Sequence, residues 1–346
     1  MSQNMRQDVA SQDVASQDVA SQDVASQDVV DQAPDHPKRQ AVLSKPSVSN
    51  MGSSQAYQDM DQEIINYNLW NLWTSQSGFS LRGPKPGRLE PGTYCTSLGA
   101  AYTFGRFVQR PYVELLGIAL QLPSLNLGFA GVGPSFYNDP QNQALIDLVN
   151  NSKFVTIAIF SGRSQANSRF KTAQYSQEQY ILENGDSVPA DFAYQQLLET
   201  ATEQEIAALV AETRAAYLHE FSQLLARIRV PKVLLWFSKR EPHYESTPES
   251  VFTLLSGFPH MVNQPMIDLL RPQCDAYIEH TSRTGLPQPL MSRHSQQPVS
   301  IVRPRTYEKG KLQLTPSKLT HNHYYASPQM HKELAQRLVP ETFLFY

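Results

Sequence analysis

The segment at residues 94–105, with the sequence YCTSLGAAYTFG, constrains the fold of this chain more than any other segment. Its first five residues are apolar or small, which is typical of a strand that is buried on both faces of a parallel sheet. Gly99 then allows a turn, and a helix begins near Ala101. Because ligands of open α/β sheets bind beyond the carboxyl ends of the strands, the segment predicts both a fold class and the place of a binding site.

Beyond this segment, short apolar runs alternate with helical stretches. Candidate strands lie at 94–98, 124–128, 154–160, 233–238 and 276–279. Candidate helices lie at 106–120, 140–150, 190–229 and 264–270, and a last helix starts near Ser327. Continuous apolar strands that alternate with helices predict a three-layer α/β/α domain with a mostly parallel, doubly wound sheet.

Residues 1–60 have a different composition from the rest of the chain. Residues 6–30 are five pentads, of which three read Ser-Gln-Asp-Val-Ala and two are variants of it. A period of five matches neither a helical face nor an alternating strand, and so short a repeat cannot stack into a solenoid. We therefore expect a disordered tail at 1–60 and one α/β domain at 61–346.

Composition excludes several classes of partner. The 29 Lys and Arg residues nearly balance the 32 Asp and Glu residues, which is unlike a basic nucleic-acid footprint or a polybasic membrane anchor. Cys95 and Cys274 are too few for a disulfide framework or a cysteine-rich zinc site. No apolar run approaches the ~20 residues that span a bilayer, and no signal peptide is visible. We expect a cytoplasmic protein with no membrane span, no nucleic-acid partner and no cofactor.

The frame of residues 99–105 resembles the first motif of the SGNH (GDSL-type) hydrolases, Gly-Asp-Ser-x-Thr-x-Gly. Gly99, Thr103 and Gly105 stand at matching positions. Ala100 replaces the Asp, and Ala101 replaces the nucleophilic Ser. The resemblance implies an SGNH-like fold that lacks the usual nucleophile.

Three later blocks are similar to the remaining SGNH motifs. The glycine loop at 126–133 follows the second predicted strand, and 161–170 follows the third, where the family has Gly-x-Asn-Asp. In 321–331, Asn322 stands at the position of the family's Asp and Tyr325 at that of its His. The resemblance implies a flavodoxin-like architecture in which all three positions of the Ser-His-Asp triad are empty.

The chain is more closely similar to an uncharacterised bacterial domain family. Its members share an Arg-Gly-Pro segment, the glycine turn, an Asn-Arg-Phe-like segment, a Leu-Leu-Trp strand and a Tyr-Tyr-x-Ser-Pro-x-Met-His ending. The matching segments here are 82–84, 99–105, 169–170, 234–236 and 324–331. Since that family has no established activity, the resemblance implies a fold more than a function.

Glycines and cations at the strand ends predict a site for a small polar, anionic or glycan-like ligand. Glycine loops expose backbone N–H groups, and clustered cations suit sulfate, phosphate or carboxylate groups. The predicted ligand-binding residues are Gly99, Ala101, Thr103, Gly105, Gly128, Gly131, Arg163, Gln165, Asn167, Arg169, Lys239 and Arg240. The alternative is that these cations are solvated loop charges.

Two other function classes stay open. One is an acyl- or group-transferase or hydrolase that acts on glycans without a Ser nucleophile, with His323 or His331 as base beside an electrostatic cradle. In a separate version of this class, Thr103 is the nucleophile and the same histidines are the base. We favour a structural role for Thr103, as a hydrogen-bond partner of the turn or a cap of the next helix. His321 and His323 have no acidic neighbour, so we predict no metal site. The long segment 239–263, which contains His260, is either a binding lid or a surface excursion. The other class is an interaction scaffold that is tethered by the repeat tail.

Overall fold

The structure is a computed structural model that describes residues 51–74, 78–173, 176–182, 184–303, 306–308, 311–313 and 316–345. The pentad repeat at 6–30 and the rest of the chain before residue 51 lie outside these residues. The description that follows therefore concerns the domain and not the predicted tail.

The helices are α1 (Met51–Asp61), α2 (Ala101–Phe104), α3 (Tyr112–Leu120), α4 (Pro134–Asn138), α5 (Gln143–Asn150), α6 (Ala190–Thr200), α7 (Glu203–Arg227), α8 (Val251–Leu255), α9 (Gln264–Leu270) and α10 (Pro328–Thr342). Among these described helices, none combines the length and the apolar composition that a membrane crossing needs.

The strands are β1 (Trp70–Trp73), β2 (Gly78–Leu81), β3 (Cys95–Gly99), β4 (Ser124–Gly128), β5 (Val155–Ala158), β6 (Lys171–Ala173), β7 (Ser176–Ile181), β8 (Ser187–Pro189), β9 (Lys232–Ser238), β10 (Ala276–Thr281), β11 (Gln288–Pro289), β12 (Ile301–Arg303), β13 (Thr306–Glu308), β14 (Lys311–Gln313), β15 (Ser317–Leu319) and β16 (His321–Asn322).

Five strands form the central sheet in the order β10-β9-β5-β3-β4, and every pair in it is parallel. Counted along the chain, this is the order 2-1-3-4-5 of one common doubly wound sheet. All five strands that the apolar runs predicted are present. The predicted α/β class with a mainly parallel sheet is confirmed.

Helices cover both faces of this sheet. Ser97 and Thr96 are neighbours in β3, so their side chains point to opposite faces. Ser97 Oγ lies 2.7 Å from Thr156 Oγ1, on the face that Tyr112 of α3 covers. Thr96 Oγ1 lies 3.1 Å from Ser152 Oγ, which follows α5 on the other face. The result is three layers, with the sheet in the middle.

The predicted helix at 190–229 is two helices. Thr202 caps α7 in a reciprocal capping box with Glu205, and this stops α6 at Thr200. A small antiparallel sheet, β6-β7-β8, precedes α6 and was not predicted from the sequence. This insertion lies between the third and fourth strands of the central sheet, and it shapes the surroundings of residues 161–170.

Residues 51–60, which we expected to continue the tail, form most of α1. The Asp61 carboxylate accepts two hydrogen bonds from the Arg106 guanidinium, at 2.8 and 3.0 Å. The Tyr57 ring packs 5.6 Å from that of Phe104, and Tyr67 Oη donates to Asp61 at 2.8 Å. These contacts lie far apart in sequence, so the polar composition of the segment did not reveal them.

Candidate functional site

The glycine turn after β3 is closely packed. The carbonyl oxygen of Gly99 accepts hydrogen bonds from the backbone N–H of Phe129 and from Tyr137 Oη. A β carbon on Gly99 would lie 1.9 Å from Thr103 Oγ1, and one on Gly128 would lie 2.4 Å from the backbone nitrogen of Phe104. These two glycines therefore allow β3, β4 and α2 to approach one another.

Gly105 and Gly131 have a different role. Their φ angles are +79° and +70°, which is the left-handed region that favours glycine. Gly105 ends α2 there, and Gly131 turns the chain after β4. Thr103 is fully buried beside Gly99 and Gly128, and its Oγ1 lies 3.3 Å from Tyr112 Oη. Ala101, in contrast, is partly exposed at the start of α2.

His331 belongs to α10 and is buried against α3. Its Nδ1 accepts a hydrogen bond from the backbone N–H of Tyr112 at 3.0 Å, and its ring packs against Tyr112 and Phe237. Burial lowers the pKa of His331 to about 3, with further lowering by the nearby charges of Arg82 and His280. A neutral, enclosed imidazole that already accepts from the backbone serves packing.

The two other positions that the SGNH resemblance points to, Asn322 and Tyr325, build the turn before α10. Asn322 Oδ1 accepts from the backbone N–H groups of Tyr324 and Tyr325 at 3.1 and 2.8 Å. Tyr325 Oη accepts from Arg106 Nη1 at 3.0 Å. His323 is exposed beside them, with its ring 6.1 Å from that of His321.

The polar residues after β5 point in several directions. Arg163 is buried with Asp191, at 3.7 Å between Nη1 and Oδ2. Asn167 Nδ2 donates to Tyr194 Oη and to Thr213 Oγ1 at 3.1 and 3.0 Å. Gln165 is buried, whereas Arg169 is exposed at a cavity of about 480 Å³ between α6 and the turn that joins β7 to β8. The structure therefore does not gather these four predicted ligand residues around one point.

Arg240, which follows β9, forms hydrogen bonds with the loop at residues 257–262. Its guanidinium donates to the carbonyl oxygens of Gly257, Pro259 and Val262 at 2.9, 2.5 and 2.7 Å, and it stacks on the Trp236 ring at 4.8 Å. Burial lowers the pKa of Arg240 to about 10. We predicted that this cation supplies charge to a ligand, and its contacts are instead with the 257–262 loop.

The 257–262 loop brings His260 to the carboxyl end of β5. His260 Nδ1 lies 2.9 Å from Ser161 Oγ, across 99 residues of sequence. Both residues are nearly enclosed, with 5% and 2% of their surface exposed. A serine hydroxyl within hydrogen-bond distance of an imidazole nitrogen is the geometry of an activated nucleophile and its base.

Three elements hold the backbone around His260. The N–H of Gly162 donates to the His260 carbonyl at 2.8 Å, and Arg214 Nε of α7 donates to the Met261 carbonyl at 2.9 Å. Arg240 donates to the carbonyls of Pro259 and Val262, which flank these two in the chain. Consecutive carbonyls from Pro259 to Val262 thus all have donors, and the imidazole has a fixed position over Ser161.

Aromatic side chains form one wall of this pair. The Tyr324 ring is nearly parallel to the His260 ring, 6.2 Å away. Tyr102, next to Ala101, stacks on Phe258 at 4.3 Å and donates through its hydroxyl to the Tyr324 carbonyl at 2.6 Å. These contacts connect the His260 loop to the β3–α2 turn.

Lys239 lies at the edge of the aromatic wall. Its Nζ is 5.4 Å from the centre of the Tyr324 ring and donates to the His323 carbonyl at 2.5 Å. Burial and the neighbouring charge of Arg283 lower the pKa of Lys239 to about 8. Among the described residues, no group of three His, Cys, Asp or Glu side chains is arranged to hold a metal ion.

Sequence reasoning reached both members of the Ser161–His260 pair only indirectly. Ser161 lies in the third motif block, and His260 lies in the long segment that we interpreted as a lid or an excursion. A histidine in an aperiodic segment after a strand is a usable signal. The hydroxyl that it meets depends on the path of the loop, which no local pattern specifies.

Comparisons with known proteins give two findings. A family model described as "Domain of unknown function (DUF6473)" matches residues 55–177 and 193–342. Among solved structures, the chain is similar to a carbohydrate esterase family 2 enzyme with a carbohydrate binding domain from Corynascus thermopiles (Myceliophthora fergusii), with a TM-score of 0.35 and 11% identity over 78% of this chain and 73% of that chain. No curated protein matches the chain.

Proposed function

The chain belongs to the DUF6473 family, and from its site we propose that this protein is a hydrolase or acyltransferase with Ser161 as nucleophile and His260 as base. The reaction is cleavage of an ester of a polar ligand that binds at the carboxyl edge of the sheet. The observation that carries the proposal is the 2.9 Å contact between Ser161 Oγ and His260 Nδ1. It supplies the nucleophile and the base that the empty motif positions lack.

The chemistry uses four proton transfers through one imidazole, two as the acyl-serine forms and two as it is cleaved. The Ser161 proton moves to His260 Nδ1 while Oγ bonds to the ester carbonyl carbon. The bond from that carbon to the leaving oxygen then breaks, and His260 returns the proton to this oxygen. Water or an acceptor hydroxyl next attacks the acyl-serine, with His260 as base again, and the proton finally returns to Ser161. This order of proton transfers requires the His260 tautomer that carries its hydrogen on Nε2, so that Nδ1 can accept the Ser161 proton.

We further propose that the architecture is a degenerate SGNH arrangement in which the nucleophile has moved. The sheet order 2-1-3-4-5 and the placing of all four motif blocks at the carboxyl edge support this proposal. Ala101 leaves the original position without a hydroxyl. Ser161 follows β5, which is the neighbour of β3 in the sheet, and β3 is the strand that precedes Ala101.

Burial of the pair makes the 239–263 segment a lid in this proposal. With Ser161 and His260 almost enclosed, a substrate enters by displacement of residues 256–262. The hydrogen bonds from Arg240 and Arg214 to the loop carbonyls then form again, and the loop returns to its closed position. An enclosed site also excludes water, which strengthens the electrostatic interactions of the reacting groups.

A second candidate function is binding of a polar ligand without reaction. The observation that favours it is the same burial, since a serine with 2% exposure is also compatible with a purely structural hydrogen bond. In this case the ligand is held by the predicted residues on the partly exposed side of the turn, above all Ala101 and Lys239.

Covalent labelling distinguishes the two candidates. We expect a fluorophosphonate probe to react with Ser161, with loss of fluoride, and peptide mass spectrometry to place the adduct on that residue. Ser161→Ala abolishes the adduct, and His260→Gln slows it by about 100-fold because the base is lost. Ser164→Ala is the matched control, since Ser164 is equally buried three residues further on. Folded protein that the probe never modifies at Ser161 leaves only the binding function.

A further inference from the structure

We propose that the substrate carries an oxyanion, such as the carboxylate of a uronic acid, which Lys239 and Arg283 bind at the rim of the Ser161–His260 site. This inference rests on the proposed function, because it names the substrate class of that same site. It assigns a role to Arg283, which no motif indicated.

The two cations are close together. Arg283 Nε donates to the backbone carbonyl of Lys239 at 2.9 Å, which fixes the chain after β10 against the chain after β9. Arg283 is exposed, and Lys239 is partly buried. In the described part of the chain, neither side chain forms an ion pair with a carboxylate. Two like charges that lack an acidic partner form a site whose charge balance is completed by an anion.

The cations also border the reacting groups. Lys239 Nζ lies over the ring of Tyr324, and this ring is nearly parallel to the imidazole of His260. The charge of Arg283 acts on the hydroxyl of Tyr102, which in turn donates to the Tyr324 carbonyl. An anion at Lys239 is therefore separated from the Ser161 hydroxyl by the Tyr324 and His260 rings. That separation suits an ester and an acidic group on the same extended molecule.

The state of Lys239 agrees with this geometry. Burial and Arg283 lower its pKa to about 8, so part of its charge is lost above neutral pH unless an anion restores it. Arg283 is the charged group that acts on Lys239, and the Lys239 Nζ also donates to the backbone carbonyl of His323. Binding of an oxyanion at this point is expected to weaken as the pH rises through 8.

The test measures binding without turnover. In the Ser161→Ala background, we would compare the rise in Tm produced by an acetylated oligosaccharide that contains glucuronic acid with that produced by the same oligosaccharide with glucose in its place, which lacks the carboxylate. We expect the glucuronate to raise Tm and the neutral sugar to have a much smaller effect. Lys239→Gln and Arg283→Gln should each weaken glucuronate binding by about tenfold, and added salt should weaken it further.

The control is Lys85→Gln, because Lys85 is an exposed lysine that also lies over an aromatic ring, 5.7 Å from Trp70. It should leave glucuronate binding unchanged. Equal effects of the two sugars, no effect of either, or a glucuronate effect that survives Lys239→Gln would each overturn the oxyanion site. Fluorophosphonate labelling of Ser161 tests the proposed hydrolase function independently of sugar binding. Failure of the oxyanion site is therefore distinguished from failure of the proposed function.

Discussion

The backbone N–H of Gly162 donates to the carbonyl oxygen of His260 at 2.8 Å. The preceding residue, Ser161, contacts the side chain of the same histidine, with 2.9 Å between Ser161 Oγ and His260 Nδ1. The end of β5 therefore binds the main chain and the side chain of the same histidine. Main-chain anchoring of this kind sets the position of the imidazole more tightly than the side-chain contact alone.

We predict that Gly162→Ala impairs the pair while the fold persists. A β carbon there would lie 3.0 Å from the His260 carbonyl oxygen and 3.2 Å from Met261 Cβ, so the loop must shift by a few tenths of an ångström. Misplaced catalytic groups lose rate steeply, and we expect labelling of Ser161 to slow by about tenfold. Gly87→Ala is the control, since nothing lies within 4 Å of its β-carbon position. Equal labelling rates in both variants would contradict the prediction.

We predict that Arg240→Lys loosens the 257–262 loop. A lysine cannot reach the carbonyls of Gly257, Pro259 and Val262 together, so buried acceptors are left without donors. The free energy of unfolding should fall by about 1–3 kcal/mol, and amide hydrogen exchange at Met261 should become faster. Arg271→Lys, an exposed arginine near the Tyr277 ring, should change neither quantity. Unchanged protection of the loop in Arg240→Lys would show that it is held by other contacts.

We predict that Asp61→Asn strongly destabilises the domain. Asp61 is fully buried, and an asparagine there has no negative charge, so the Arg106 guanidinium loses its ion-pair partner. Breaking one side of a buried pair costs about 3–5 kcal/mol, which urea unfolding would measure. Glu90→Gln breaks the exposed pair with Arg88 and should cost less than about 1 kcal/mol. Similar losses in the two variants would mean that α1 is not anchored through Asp61.

We predict that His331 makes the fold sensitive to acid. Its pKa is about 3 in the folded protein and about 6.5 in the unfolded chain, so between these values only the unfolded chain binds the proton. The free energy of unfolding therefore falls as the pH drops below 6.5, by about 1.4 kcal/mol for each pH unit down to pH 3. His331→Asn should remove this part of the slope in urea titrations between pH 4 and 7. His321→Asn, at an exposed site, should retain it, and identical slopes in the two variants would refute the assignment.

The apolar runs and helical stretches of the sequence were sufficient to predict the five strands of the central sheet and the α/β class. Both are local properties, because a strand buried on two faces must be apolar along its length. The same reasoning located the carboxyl edge, and with it the segments 99–105 and 161–170, whereas 321–331 was found only through the SGNH resemblance. This reasoning also set the position of α10, since Ser327 and Pro328 are residues that begin helices.

Only the tertiary structure decided which side chains at that edge meet. His331 and Arg240 carry chemical groups that suit a site, but their hydrogen bonds go to the backbone of Tyr112 and of the 257–262 loop. Ser161 and His260 come together because β5, α7 and β9 each bind the loop that carries His260. Contacts between residues that are 99 positions apart depend on the path of the whole chain, and a local sequence pattern contains no information on that path.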